Sequence, residues 1–148
     1  MATKTLMLSL ALLFPCFGYA QSLKPLQTYI TESSPDAGRL SYVMARCAGL
    51  YMNMAIISED SRPDLGKKYN EASLAASYKF IEITELAKKE KNPNYVTPQN
   101  ITEKAIGRIQ AISKNYMKIT EESYTSSGSY LANPIIRGDL EICQNLVR

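Results

Sequence analysis

The chain has 148 residues, 45% hydrophobic and 21% charged, with only seven glycines and seven prolines, which is the usage of a folded domain and not of a disordered or collagen-like chain. Its net charge of +3 comes without any basic block, which argues against nucleic acid as a partner. It contains no histidine, which excludes a Ser-His-Asp triad, a Cys-His pair, an HExxH zinc site, His-ligated haem and the Glu-x-x-His di-iron motif.

Residues 1–20 read as a signal peptide. Lys4 supplies a positive start, residues 6–14 (LMLSLALLF) an apolar core, and Gly18-Tyr19-Ala20 small residues at −3 and −1 before Gln21. The expectation is cleavage after Ala20 and export to a periplasm or the cell exterior, with an uncleaved anchor as the alternative. Cys16 follows Phe14-Pro15 and lacks the small neighbour of a lipid-attachment site, so it leaves with the signal. Cleavage keeps 128 of the 148 residues and lowers the net charge to about +2. No later run reaches the roughly 18 consecutive apolar residues of a membrane span, so none is expected in the mature chain.

Residues 21–33 form a polar lead-in with isolated Leu23, Leu26, Tyr29 and Ile30, expected to dock loosely. Residues 34–148 carry the helical domain. Ser34-Pro35, Ser61-x-Pro63, Thr97-Pro98 and Asn133-Pro134 each place a capping side chain beside a proline suited to a first helical turn. Asp36, Asp64 and Glu103 then lie early, and Lys88, Lys89 and Lys91 late, as the helix dipole favours. The predicted helices are 35–58, 62–91, 98–126 and 134–147, and no alternating β-branched run suggests a strand.

Each helix has an apolar stripe at 3.6-residue spacing. The stripes are Leu40, Val43, Met44, Cys47, Leu50, Tyr51, Met54 and Ile57; then Leu65, Tyr69, Ala72, Ala76, Phe80, Ile83 and Ala87; then Ile101, Ala105, Ile109, Ile112, Tyr116 and Ile119; and finally Ile135, Ile136, Cys143, Leu146 and Val147. Four such helices on short loops predict an all-α fold, a four-helix antiparallel bundle-like domain.

After Cys16 is removed, Cys47 and Cys143 remain. On the helical wheel Cys47 falls at about 340° from Leu40 and Cys143 at about 80° from Ile135, each central to its stripe. They are expected to face each other in the core as one disulfide stapling the first helix to the last. A redox thiol would instead be exposed or in a CxxC motif.

Candidate chemistry is sparse. Met52 and Met54 point about 200° apart and cannot share a Cu(I), while Met44 and Met54 belong to the core stripe. Glu82 and Glu85, Glu121 and Glu122, and Glu59, Asp60 and Asp64 lack the spacing of a di-iron or calcium site. Arg137-Gly138-Asp139 spells an integrin-binding tripeptide inside a predicted helix and is read as chance. Asn100-Ile101-Thr102 is a glycosylation sequon, and no phosphate-binding glycine loop exists. No metal, cofactor or catalytic residue is expected, and the protein is read as not an enzyme.

One pattern points outward. From Leu65, Leu74 lies at about 180°, Tyr78 at about 220° and Ile81 at about 160°, an apolar row opposite the main stripe of the second helix. Weaker rows occur in the first helix (Tyr42, Met52, Ile56) and the third (Ile106, Met117, Tyr124). A helix apolar on two faces either sits centrally or meets a partner. The function implied is binding, to a protein partner or to a second copy, with Leu74, Tyr78 and Ile81 as the candidate interface in a structural or accessory role. The alternative is a carrier of a small apolar ligand or metal in the interior between the first helix and Tyr116.

Overall fold

The placement of one central helix, Ala37–Ser58, explains most of the architecture. In a computed structural model, which describes residues 23–31 and 36–147, five helices follow one another and no strand occurs among the described residues. The signal peptide expected at residues 1–20 lies outside them, as do Ser34 and Pro35. The helices are α1 (Leu26–Thr31), α2 (Ala37–Ser58), α3 (Pro63–Lys91), α4 (Ile101–Ser127) and α5 (Pro134–Leu146). The fold is therefore all-α, with one short helix more than the stripes predict.

The stripe of α2 widens into a helix buried nearly all round, from Val43 to Tyr51. It packs most extensively on α3, then on α4, and also meets α1 and α5. Small residues make the α2–α3 seam close: Ala45 and Ala48 are fully enclosed, as is Ala76, and the Ser73 hydroxyl donates to the Ala48 carbonyl at 2.9 Å. Toward α4 the approach depends on Gly49, where a Cβ would lie 2.6 Å from Ile112 Cγ2 and 3.0 Å from the Ser113 nitrogen. Met44, Met54, Phe80, Ile109, Tyr116, Ile136 and Leu140 complete the core, so both stripe methionines serve as packing. Tyr51 stacks on Tyr69 at 6.0 Å, and burial, helped by that neighbour, pushes its hydroxyl up to about 12.

α2 is also long and apolar enough to cross a membrane, with a mean hydropathy of 1.3, and 67% of that stretch is buried within the fold. Its apolarity follows from its central position, since a helix hydrophobic on all sides must be covered on all sides.

The caps follow the sequence in part. Asn133 caps α5 as expected, its Oδ1 accepting from the Ile135 N–H at 2.9 Å. Asp36 caps α2 by accepting from the Arg39 N–H at 2.7 Å. α3 starts at Pro63 without a side-chain cap, and α4 starts at Ile101, three residues beyond the predicted Pro98. The reason lies in the preceding loop: the Thr97 hydroxyl donates to the Glu85 carboxylate instead of capping, and the Tyr95 hydroxyl donates to the same group at 3.0 Å. At the other end of α4, Gly128 ends the helix with φ +73°, a left-handed conformation that glycine adopts without strain.

Candidate functional site

The cysteines meet as their wheel positions predict. Cys47 on α2 and Cys143 on α5 are fully enclosed and stand at disulfide distance, with the sulfurs 2.04 Å apart and a sequence separation of 96. Their enclosure removes the access that a reactive thiol needs.

Beside this pair lies a cluster that the sequence reading does not identify. Arg46 and Asp139 are both fully buried and form an ion pair between Nη2 and Oδ2. The Tyr116 hydroxyl accepts from Arg46 Nε at 2.7 Å and donates to Asp139 Oδ2 at 2.5 Å. The other Asp139 oxygen accepts from the Leu26 N–H at 2.7 Å. Arg46 Nη1 donates to the Lys24 carbonyl at 3.0 Å and to the Tyr42 hydroxyl at 3.4 Å. The guanidinium also lies 5.0 Å from the Tyr116 ring centre. Groups from α1, α2 and α4 therefore converge on one carboxylate of α5.

The electrostatics are those of a closed cluster. Burial works against the Arg46 charge, but Tyr116, Tyr42 and Asp139 outweigh it, and the net effect is to hold Arg46 still more firmly protonated. Burial likewise drives the Tyr116 hydroxyl well above the ordinary tyrosine range, with Asp139 adding to the push and Arg46 opposing it. Tyr116 stays a neutral donor to a carboxylate that already has a cation. Such a cluster is costly to break but adds little net stability over an apolar filling. Its effect is to fix which groups meet.

These contacts revise the expectation for the lead-in and agree with the chance reading of the Arg137-Gly138-Asp139 tripeptide. The lead-in is not loosely docked: Leu26 is fully enclosed, and the backbone at Lys24 and Leu26 is bonded to Arg46 and Asp139. Arg137-Gly138-Asp139 cannot present its aspartate to a receptor, because Asp139 is in the core. The interior next to Tyr116, the place of a carried ligand in the alternative reading, holds this cluster.

The three candidate interface residues divide. Leu74 is 53% and Tyr78 72% exposed, while Ile81 is half-buried against the core. Ile106 on α4 is 47% exposed and Ile56 on α2 50%, whereas Tyr42, Met52 and Met117 are half-buried. The apolar row on α3 is thus open at Leu74 and Tyr78 and turns inward at Ile81. The paired carboxylates have local roles or face water: Glu85 anchors the loop after α3, and Glu82, Glu121 and Glu122 are exposed. Among the described residues, no three His, Cys, Asp or Glu side chains converge as metal ligands. No protein-family model matches the chain, and neither does any curated protein or any solved structure.

Proposed function

We propose that the protein is an exported, disulfide-stapled helical domain that acts by binding a protein partner through the outer face of α3. In this reading the signal is removed after Ala20, the mature chain has no membrane span, and the four long helices form an antiparallel bundle-like domain on short loops. A cysteine pair at disulfide distance is compatible with an oxidising compartment. The observation that carries the reading is the exposure of Leu74 and Tyr78, one turn apart on a helix whose opposite face fills the core. Tyrosine is favoured at interfaces because it is large, rigid and amphipathic. We read the role as non-enzymatic, since the strongly perturbed groups, Arg46 and Tyr116, are enclosed and engaged with each other and with Asp139.

The test is site-specific photo-crosslinking in the native host, with the reactive group placed at position 78 or, as control, at the exposed Lys114. A discrete adduct from position 78 that is absent from position 114 and lost with Leu74→Asp is the expected result. An adduct with a second copy would make the partner the protein itself. Equal labelling from both positions, or none from position 78, would remove this face from consideration.

A further inference from the structure

A groove runs between the second half of α3 and the first half of α4. Phe80 and Ala105, both buried, form its floor, and half-buried Ile81 and Ile101 form its walls. Its volume is about 180 Å³. An apolar cavity of roughly 150 Å³ accommodates benzene, so this groove takes one ring or a short acyl chain.

The rim has a single sign of charge. Lys88, Lys104 and Arg108 line the groove, and no carboxylate does. None of the three forms an ion pair among the described residues, where the only pairs are Arg39–Asp36 and Arg46–Asp139. Arg108 lies over two rings, its guanidinium carbon 5.5 Å from the Phe80 centroid and 5.9 Å from that of Tyr42. These cation–ring contacts seat the guanidinium over Phe80 and Tyr42, and its N–H groups have no hydrogen-bond partner among the described residues. Lys88 is held at the loop end, where its ammonium donates to the Tyr95 hydroxyl at 3.1 Å. That hydroxyl is anchored on Glu85, so the end of the groove is braced.

Three cations around an apolar slot focus positive potential into it, and a guanidinium matches a carboxylate with two parallel hydrogen bonds. We propose that the α3–α4 groove binds a small amphipathic carboxylate, with Arg108 as its anchor, Lys88 and Lys104 as flanking charges, and a tail of ring or six-carbon size on Phe80, Ile81, Ile101 and Ala105. Of the three candidate interface residues only Ile81 lines the groove, and the exposed pair Leu74 and Tyr78 lies outside it.

Isothermal titration of the oxidised protein with hexanoate tests this, with hexanol as the uncharged analogue and acetate as the headgroup alone. Hexanoate should bind at least about tenfold more tightly than either, as expected for losing a charge-assisted contact or the buried tail. Arg108→Gln should lower hexanoate affinity about tenfold, Arg108→Lys less, and Lys114→Gln on the same helix not at all, each variant keeping the parent's thermal melt. Amide shifts on titration should centre on Ile101 and Ala105. Equal affinity for hexanol and hexanoate, an unchanged Arg108→Gln, shifts centred elsewhere, or no saturable binding would each overturn the proposal.

Discussion

The α2–α5 end of the molecule and its α3–α4 flank are built on opposite plans. At the first, two chain segments 96 residues apart are joined by cysteines at disulfide distance. One turn of α5 earlier, Asp139 gathers a guanidinium, a phenol and a backbone N–H in a fully buried cluster. At the second, α3 and α4 leave an apolar groove with a basic rim between them, and α3 exposes Leu74 and Tyr78. Polar groups are enclosed where the fold is locked, and apolar groups are exposed where it is open. The contrast separates the part of the molecule that specifies the structure from the part to which we assign recognition as a proposal.

The sharpest way to break the locked end is Asp139→Ala. It strands the buried Arg46 cation, and removing one partner of such a pair costs about 3–5 kcal/mol. Urea unfolding should show that loss, and the double variant Arg46→Met/Asp139→Leu should recover most of it by replacing both charges with apolar side chains. A single-variant loss below about 1 kcal/mol would mean that the cluster is open to water. Removing the disulfide pair with Cys47→Ala/Cys143→Ala should cost about 2–5 kcal/mol, since the bridge closes nearly the whole domain. Reductant should lower the parent's stability by a similar amount and leave this variant unchanged.

Smaller effects sharpen the comparison. Gly49→Ala forces a methyl group against Ile112 and the Ser113 backbone. Overpacking of this kind costs about 1–3 kcal/mol, more than the roughly 1 kcal/mol that alanine gains over glycine in a helix. A variant more stable than the parent would show that α4 can move away from α2. Alkaline pH probes the same core. Tyr51 is raised from 10.0 to about 12 by burial, so the folded chain keeps a proton that the unfolded chain releases. Its contribution is fully present below pH 10.0 and is lost as pH rises toward about 12. Melting temperature should fall over that interval, and less steeply in Tyr51→Phe. On the open flank, Leu74→Asp and Tyr78→Ala should change stability by no more than about 0.5 kcal/mol, the range of exposed positions. A larger loss would place these side chains in the structural core.

How much of this is legible in the sequence depends on whether the cause is local. The four long helices, the Asn133 cap and the inward-facing cysteines follow from 3.6-residue periodicity and elementary capping chemistry. The same wheel that centres Cys143 also places Asp139 at about 40° from Ile135, within the apolar stripe. A carboxylate there demands a buried partner, and dismissing the tripeptide as chance leaves that demand unaddressed. Arg46 carries a weaker signal, at about 240°, on the margin of its stripe. Its burial arises because four other helices surround α2, which no single-helix pattern encodes. α1 is six residues long, too short for periodicity to register, and its place is fixed by Asp139, 113 residues away from Leu26. The delayed start of α4 depends on Glu85, across the loop, capturing Thr97. The groove then follows from where that braced loop sets the two helices.

The division between a locked end and an open flank is tested most directly by native-state hydrogen exchange measured amide by amide on the oxidised protein. The slowest exchange is expected in α2 and α5 around Cys47, Asp139 and Cys143, opening only with global unfolding. Amides of α3 and α4 beside the groove should open through local fluctuations of lower free energy. Exchange at the flank as slow as at Asp139 and Cys143, or slowest exchange outside α2 and α5, would contradict it.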